Sequence, residues 1–360
     1  MGILDIETLN MPPAIKAGLR SLSAHISFET VSEKGANGYL VFGHNTVLDR
    51  KVAVKFGYWG GDKAYLAEPR SLAQTDAPNI VTIMDAALLD DDYAYFITPY
   101  YERGDLDCII DGELPGTSAA VDIVSGILSG LTHLHAKQYL HRDLKPGNIF
   151  VADDGTPLIG DFGSVKALPS GCSSVPGSGH SLIYTPPESV TSTEYSFRGD
   201  IYQVGILLYQ LLGGPLPYDE AAWLNKGELK TYNRLQSPPD RSIFATKVVK
   251  RRIVGGKVVS VKDLPCWVGR PLRRTMAKAC NRDPAKRFGS ASAFLAHLHE
   301  LKPAIQDWSV VGDHLTLSAP VQYRLCPDEK SGKHYVEKKK TAAWRRDNAF
   351  GTGTIEDLVE

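Results

Sequence analysis

Two short strings near the middle of the chain contain side chains suited to phosphoryl chemistry. They are H141-R-D-L-K-P-G-N148 and D161-F-G163. Transfer of a phosphoryl group needs a carboxylate that orients the attacking hydroxyl and accepts its proton, and it needs oxygen ligands for Mg²⁺. Asp143 suits the first role, and Asn148 and Asp161 suit the second. The two strings together predict a site that binds Mg²⁺ and transfers a phosphoryl group.

Four further residues could hold the phosphates: one lysine within the first string, and one lysine and two glycines upstream of it. Lys145 would lie beside the transferred phosphate, and Lys55 ends the alternating string V-A-V-K, from which it could pair with the α- and β-phosphates. The stretch S32-E-K-G-A-N-G-Y-L-V-F-G43 places Gly35 and Gly38 shortly before that string. Glycines allow backbone N–H groups to approach phosphate oxygens closely, so we expect this stretch to be the phosphate loop.

The complete set of motifs resembles a eukaryotic-type serine/threonine protein kinase of the kind found in bacteria. The resemblance extends over about 26–302, and P186-P-E188 stands where that family has A-P-E. It implies a two-lobed α+β fold with a small β-rich N-lobe, a larger helical C-lobe and a cleft at their junction. It also implies transfer of the γ-phosphate of ATP to protein hydroxyls, with ATP and Mg²⁺ bound. Lys145 in H-R-D-L-K-P is the serine/threonine signature of the family.

The resemblance assigns further roles residue by residue. It implies that the adenine and its ribose are enclosed by a roof, a floor, a gatekeeper and a hinge, which would be Leu40, Ala53, Phe150, Thr98 and Pro99–Tyr101, with Tyr100 and Tyr101 in the hinge. It implies that Asp200 steadies the backbone of the H-R-D string and that Arg287 pairs with Glu188. Ser181 matches the residue that touches the catalytic aspartate and lysine.

Two departures from the family pattern concern the small lobe. Glu68 stands where a helix glutamate should pair with Lys55, but Pro69 follows it. Proline removes a helical N–H and disfavours helix in the residue before it. We therefore expect a helix that is kinked at Glu68, or that starts there with Pro69 in its first turn, and that retains the Lys55–Glu68 pair. Glu33 replaces the first glycine of the phosphate loop, which we expect to be tolerated with weaker ATP binding.

The hydrophobic patterns divide the chain into three parts. Residues 1–25 form a leader with one helix after Pro12-Pro13, 26–303 form the kinase domain, and 304–360 form an extension with β-like runs at 308–311 and 314–318. Within the domain, 26–100 alternates as strands do and contains one helical stretch around 62–76, whereas 101–303 has helical periodicity. The expected helices of this second part lie at 121–135, 201–212, 270–280 and 291–301, and the second of them is apolar on all sides.

Composition narrows the class of protein. The net charge is −1, which gives no overall argument for nucleic acid or an anionic membrane. The five cysteines form no C-x-x-C pair, which favours a reducing compartment over disulfides or a zinc site. The first residues have no basic segment before an apolar core, and the longest apolar run, within 201–212, is too short to span a bilayer. We therefore expect a soluble, cytoplasmic protein.

The segment between D-F-G and P-P-E is rich in serine, glycine and proline. It reads A167-L-P-S-G-C-S-S-V-P-G-S-G-H-S181. One interpretation is a plain flexible loop. The other is autophosphorylation at Ser173, Ser174 or Ser178, with the phosphate pairing with Arg142 and ordering the loop.

A second unusual segment is strongly basic. Residues 247–262 contain six lysines and arginines and no acid, and their β-branched residues around Gly255-Gly256 predict a β-hairpin. Its cations could form a solvated face, or they could bind an acidic protein or nucleic acid. The lysine-rich extension, with K338-K-K340 and Arg345-Arg346, has the same alternatives.

Three functions remain open at this point. The first is a serine/threonine protein kinase in which Asp143, Lys145, Lys55 and Glu68 form the catalytic set. The second is a pseudokinase scaffold that binds ATP and acts through its basic hairpin and tail. The third is a kinase of small molecules, which generally lacks H-R-D-L-K-P and the long segment ending in P-P-E.

Overall fold

The computed structural model describes residues 4–32, 38–60, 77–177, 182–339 and 343–359. The chain divides into two units, one made of Met1–Gly104 with Phe150–Gly163 and one made of Asp105–Ile149 with Ser164–Glu360. Several predictions from the sequence lie outside the described residues, namely those on Glu33, Gly35, the helix around 62–76 with Glu68 and Pro69, Ser178 and Ser181.

The first unit contains an antiparallel sheet of five strands. The spatial order is β1-β2-β3-β5-β4, and the strands are β1 (Ile26–Ser32), β2 (Gly38–Asn45), β3 (Arg50–Tyr58), β4 (Asp85–Leu88) and β5 (Tyr93–Pro99). In β3 the side chains of Val52, Val54 and Phe56 are fully buried. Successive residues of a strand face opposite sides, so Ala53 and Lys55 occupy the other face. The strand pattern predicted for 26–100 is confirmed by these five strands.

A helix near the start of the chain completes the core of this sheet. Helix α1 (Pro13–Leu22) begins with proline at its first position, where no N–H is needed. Ile15, Leu19 and Leu22 recur at helical spacing and pack with the buried sheet residue Phe28. The helix expected after Pro12-Pro13 is therefore present, and it belongs to the core of the first unit.

The second unit is built around one buried helix. Its helices up to residue 301 are α2 (Leu106–Asp111), α3 (Thr117–Ala136), α4 (Pro187–Thr191), α5 (Phe197–Leu211), α6 (Lys226–Arg234), α7 (Pro238–Val254), α8 (Arg270–Ala279) and α9 (Ala291–Leu301). Helix α5 packs against α3 and α8, and almost all of its residues are buried. This confirms the helix that the sequence shows as apolar on all sides, and the helices expected at 121–135, 270–280 and 291–301 are also present.

In the described part of the chain, three short two-stranded sheets lie between the longer elements. Strand β6 (Tyr139–Leu140) pairs with β9 (Lys166–Ala167), and β10 (Val175–Pro176) pairs with β11 (Glu194–Tyr195), all within the second unit. Strands β7 (Ile149–Val151) and β8 (Pro157–Ile159) form a further pair. Among the described helices, none combines the length and the apolar character that crossing a bilayer demands.

The prediction of a basic β-hairpin at 247–262 is wrong. Most of that segment belongs to α7, which ends at Val254 with Gly255 as its C-cap. Ala245, Val248, Val249 and Ile253 are the buried residues, at spacings of three and four. The β-branched residues favour strand only weakly, and burial of this helical face outweighs that preference.

The extension forms its own antiparallel sheet. Strands β12 (Asp307–Val311), β13 (His314–Ser318), β14 (Gln322–Asp328), β15 (Lys333–Lys339) and β16 (Trp344–Arg346) pair in chain order, and helix α10 (Ile355–Val359) follows. Trp308, Leu315, Leu325 and Val336 form the buried cluster of this sheet. Strands β12 and β13 confirm the two β-like runs predicted in the extension.

The side chain of Thr117 attaches the extension to the first turn of α3. Its Oγ1 lies 3.0 Å from the carbonyl oxygens of Gln306 and Trp308 and accepts a 2.8 Å hydrogen bond from the Trp308 N–H. The backbone N–H of Ser118 donates to Asp307 Oδ1 at 2.9 Å. Polar groups of α3 thus satisfy the edge strand β12.

We expect Thr117→Val to lower the free energy of unfolding by about 1–3 kcal/mol, because it leaves buried backbone groups of β12 without their partner. Chemical denaturation measures the change, and limited proteolysis should cleave near residue 305 sooner. Thr231→Val on the surface of α6 is the matched control. Equal stability of the two variants would contradict this role of Thr117.

Candidate active site

The first unit brings Lys55 and Asp161 together. Lys55 lies on β3 with Leu40 of β2 and Phe96 of β5 as its cross-strand neighbours. Its Nζ forms an ion pair with Asp161 Oδ1, and both side chains are partly exposed to solvent. The sequence predicted both residues at the phosphate and metal site but did not predict this direct pair.

The backbone around Asp161 is held by neighbouring strands. Ile159 of β8 bridges to Ile80, and Asn79 Nδ2 donates to the carbonyl oxygen of Pro157 at 3.0 Å. Asp161 itself has φ 52°, in the left-handed region that aspartate visits more easily than most residues. The Asp161 carboxylate is therefore positioned by a left-handed backbone conformation, just after a strand that is bridged to Ile80 and hydrogen-bonded to Asn79.

The structure gives a reason, not evident from the sequence, why position 38 is a glycine. A Cβ at this position would lie 2.0 Å from the carbonyl oxygen of Phe56 in the neighbouring strand. No side chain fits there without moving the backbone of β3. The glycine was predicted for close approach to a phosphate, and the close approach in the structure is to β3.

The residues proposed around the adenine lie in the first unit. Ala53 and Thr98 are cross-strand partners on β3 and β5. The rings of Tyr101 and Phe150 lie 5.6 Å apart, and burial raises the pKa of Tyr101 to about 12. Tyr100 makes an edge contact with Phe42 at 5.2 Å.

Phe150 also depends on a residue that sequence reasoning missed. A Cβ at Gly160 would lie 2.6 Å from the Phe150 ring, so only glycine leaves room for this ring position. The signal was visible in the sequence as the residue directly before D-F-G.

The second unit brings Asp143, Lys145 and Asn148 together in one loop. Asp143 is buried, and its Oδ2 accepts hydrogen bonds from Lys145 Nζ at 2.9 Å and Asn148 Nδ2 at 3.2 Å. Asn148 Nδ2 also donates to the Asp143 carbonyl oxygen at 2.7 Å. A single turn of 3-10 helix, Pro146–Asn148, returns Asn148 to Asp143. The three residues predicted for proton transfer, phosphate and metal thus lie together in one loop.

The geometry of Asn148 suits a metal ligand. Its amide nitrogen is directed at Asp143, which turns the amide oxygen the other way. Mg²⁺ prefers a few protein oxygens and completes its shell with water and phosphate oxygens. Within the described ranges, no group of three or more His, Cys, Asp and Glu side chains is arranged around a metal position.

Asp200 anchors the loop from α5. Its carboxylate accepts the backbone N–H groups of His141 at 3.0 Å and Arg142 at 2.9 Å. It also lies 2.8 Å from His135 Nε2 and 2.8 Å from the hydroxyl of Tyr195. Arg142 has φ 72°, so these bonds hold a strained backbone in place immediately before Asp143.

The charge of Asp200 is maintained although the carboxyl is completely buried. Burial raises the pKa of this carboxyl, but the hydrogen bond and charge of His135 and the N–H of Arg142 lower it further than burial raises it. The net pKa lies below its ordinary value, so the carboxylate remains ionised. The expected role of Asp200 has direct structural support.

Gln203 and Tyr195 extend this network, and the sequence analysis missed both. Gln203 Oε1 accepts from the Leu144 N–H at 2.9 Å and lies 2.9 Å from the Tyr195 hydroxyl. Gln203 Nε2 donates to the carbonyl oxygens of Arg142 and Tyr184, each at 3.3 Å. A glutamine three positions after Asp200, within the mostly apolar stretch 201–212, is the signal that could have indicated Gln203.

The predicted Glu188–Arg287 pair is present. The two terminal guanidinium nitrogens of Arg287, Nη1 and Nη2, donate to the two carboxylate oxygens of Glu188 at 2.7 Å each, and the Arg287 side chain is fully buried. Its guanidinium also lies 4.8 Å from the ring centre of Tyr202. This pair ties the end of the P-P-E segment to the helical core.

The activation segment is partly described. Of the three serines proposed for autophosphorylation, Ser173 and Ser174 are described; both precede β10, and Ser173 is exposed. Further on, Tyr184 donates to Gln210 Oε1 at 3.0 Å and lies 3.1 Å from the hydroxyl of Tyr218. Autophosphorylation of this segment stays a prediction.

A β unit with the lysine of V-A-V-K and the aspartate of D-F-G, and a helical unit with an anchored H-R-D loop, are typical parts of a protein kinase. A model of the protein kinase domain matches residues 34–299. The chain belongs to this family. The α+β fold and the resemblance to bacterial serine/threonine kinases, both predicted from the sequence, are thereby confirmed.

The comparisons also identify curated relatives. Serine/threonine-protein kinase PrkC of Bacillus subtilis is 36% identical over 195 residues, which cover 51% of this chain and 29% of that protein. A probable serine/threonine-protein kinase of Clostridium perfringens is 28% identical over 67% of this chain and 32% of its own length. Serine/threonine-protein kinase PknL of Mycobacterium tuberculosis is 28% identical over 74% of this chain and 63% of its own length. The matches thus span less than two thirds of each relative.

Proposed function

We propose that this chain transfers the γ-phosphate of ATP to serine or threonine hydroxyls of proteins. The observation that carries the proposal is the convergence of Lys145 and Asn148 on buried Asp143, within 3.2 Å, in a loop anchored by Asp200. The names of the relatives support a serine/threonine substrate, because each is called a serine/threonine-protein kinase.

In this mechanism Asp143 orients the substrate hydroxyl and accepts its proton. Its Oδ2 is already bonded to Lys145 and Asn148, so Oδ1 is the oxygen that would receive the hydroxyl. Lys145 places a positive charge beside the phosphoryl group as negative charge develops on its oxygens. Proton acceptance and charge neutralisation thus come from neighbouring atoms of one loop.

Asn148 and Asp161 would hold Mg²⁺, which supplies charge neutralisation on the phosphates when it is bound. Lys55 would bind the α- and β-phosphates, and its present pairing with Asp161 shows that the two side chains can reach each other. The Lys55–Glu68 pair stays a prediction.

The proposed ATP site is completed by residues of the phosphate loop and of the adenine pocket, namely Gly35, Gly38, Leu40, Ala53, Thr98, Tyr100, Tyr101 and Phe150. The adenine would contact the apolar members of this set, whose cross-strand and ring contacts lie within the first unit. The protein partner that the proposal requires is a substrate with an accessible serine or threonine.

Incubation of the full chain with γ-labelled ATP, Mg²⁺ and a generic protein substrate tests the proposal. We expect label on serine and threonine, with none after chelation of Mg²⁺. Nucleotide binding without any transfer would establish the pseudokinase alternative instead. No observation favours that alternative, because Asp143, Asn148 and Asp161 are all present.

We expect Lys55→Met to lower kcat/KM for ATP by about 10²-fold, because the substitution removes a positive charge from the phosphates. Steady-state kinetics measure the loss. Lys51→Met, four residues earlier on β3 and paired with exposed Glu102, is the matched control. A Lys55 variant with wild-type kcat/KM would contradict this role.

A further inference from the structure

One segment of this nearly neutral chain is strongly basic. Residues 226–262 contain ten lysines and arginines and only two acidic residues, although the whole chain has a net charge of −1. The segment comprises α6, α7 and the turn that follows them. This excess of cations gives the segment a local positive field of its own.

Helix α6 carries its cations on one side. Lys226, Lys230 and Arg234 recur every fourth residue and are exposed, and no residue of the helix is buried. Like charges at this spacing repel each other and destabilise a helix. A capping box between Asn225 and Glu228 supports the helix against this repulsion.

Helix α7 has a second set of cations among apolar side chains. Lys247, Lys250 and Arg251 lie on its exposed face at spacings of three and four, together with Ile243, which is 54% exposed, and Val254, which is 39% exposed. The opposite face is the buried one. The exposed face therefore combines positive charge with apolar surface, as a binding site for a polypeptide does.

The two helices are joined by a single carboxylate. Glu228 of α6 accepts from Arg251 at 3.2 Å and from Arg252 at 3.4 Å. Among the described residues, no other carboxylate is ion-paired with the cations of 226–262. We define the basic surface as Lys226, Lys230, Arg234, Lys247, Lys250 and Arg251.

The helix that carries Lys247, Lys250 and Arg251 is a neighbour of the segment that would receive a substrate, within the same unit. Helix α7 packs against α4, which contains Glu188 of the P-P-E string, and against the short turn Leu182–Tyr184 that precedes it. A polypeptide held on the exposed face of α7 would therefore lie about one helix diameter, ~10 Å, from this segment.

We propose that the basic surface docks an acidic segment of a protein substrate, in which carboxylates alternate with apolar residues. The identification of this partner as a substrate rests on the kinase function proposed above, whereas docking itself does not. Nucleic acid fits the surface less well. A single strand would favour exposed aromatic rings for base stacking, and the ring of Tyr232 on α6 already has the Arg241 guanidinium 5.8 Å from its centre.

Fluorescence polarisation with a labelled peptide of four Glu-Glu-Leu repeats tests the docking without any need for catalysis. We expect the full chain to bind this peptide, and to bind it more weakly as salt concentration rises. Lys247→Glu/Lys250→Glu and Lys226→Glu/Lys230→Glu should each raise Kd about tenfold. Lys330→Glu/Lys333→Glu, which reverses two exposed lysines near the β14–β15 turn, should change Kd less than about twofold.

The reversed residues are exposed, so their variants should keep the wild-type unfolding midpoint, and the corresponding Lys→Gln variants provide a milder check. Absence of peptide binding, equal loss in the control pair, or tighter binding of a single-stranded oligonucleotide would each overturn the proposal.

A kinetic measurement then separates docking from catalysis. Adding the acidic repeats to a serine-containing peptide should lower its KM about tenfold without changing kcat, and Lys247→Glu/Lys250→Glu should abolish that gain only. If the chain transfers no phosphate, the kinase function fails while the polarisation result still decides on docking. If unextended peptide is phosphorylated but the repeats give no gain, docking of substrate fails while the kinase function stands.

Discussion

Replacement of Asp143 by asparagine is expected to lower kcat for protein phosphorylation by about 10³-fold. The amide retains the shape of the side chain but does not accept the proton of the substrate hydroxyl. It also places an N–H₂ group or a neutral oxygen opposite Lys145 and Asn148, whose nitrogens lie 2.9 and 3.2 Å from Asp143 Oδ2. Labelled phosphate transfer under single-turnover conditions measures the chemical step itself.

The binding of ATP serves as the control for this variant. Asp143 is not among the residues proposed to contact the nucleotide, so the Kd for ATP should stay within about threefold of wild type. Asp122→Asn, an exposed aspartate on α3 that pairs with Lys302, should leave kcat unchanged. Full activity of Asp143→Asn would exclude a proton-accepting role for this carboxylate.

Asp200→Asn is expected to lower the free energy of unfolding by about 3–5 kcal/mol. The buried carboxylate accepts from His141, Arg142, His135 and Tyr195, and an amide offers one oxygen and an N–H₂ group in place of two acceptor oxygens. At least one of these buried donors would lose its partner. Chemical denaturation measures the loss, and the catalytic rate should fall too, because the backbone before Asp143 is no longer held.

The same substitution has a pH signature. The pKa of Asp200 in the folded protein lies below its ordinary value, whereas the unfolded chain has an aspartate pKa of about 3.9. The stabilisation is therefore complete above about pH 4 and is lost as pH falls through the lower pKa of the folded state. The stability difference between wild type and Asp200→Asn should shrink only below about pH 4. A difference that stays constant down to pH 2 would contradict an ionised Asp200.

The loop residues could be predicted because their chemistry constrains both type and spacing. Asp143, Lys145 and Asn148 lie within six residues of one another, and a single turn brings them together. Periodicity predicted α3, α5, α8 and α9 for a similar reason, since each buries one face or all of its surface. Local patterns of this kind survive folding almost unchanged.

Residues that act through distant partners were predicted incompletely. Gln203 supports the loop only because α5 passes beneath it, and Gly160 is required only because Phe150 lies against it. The segment 247–254 is helical because its apolar residues are buried at helical spacing, against the preference of its β-branched residues for strand. Each of these outcomes depends on long-range contacts.

The sequence alone was enough to predict the family, the β-rich first part, the helical second part and a set of candidate catalytic groups, because phosphoryl transfer permits few residue types at few spacings. Only the tertiary structure decided which groups support them: Asp161 beside Lys55, Gln203 and Tyr195 beside Asp200, and α1 in the core of the first sheet. It also placed the basic residues on two helices, on the exposed side of each, with Glu228 of the first paired with Arg251 of the second. The physical reason is that burial and hydrogen bonding between distant segments, unlike local spacing, are established only when the chain has folded.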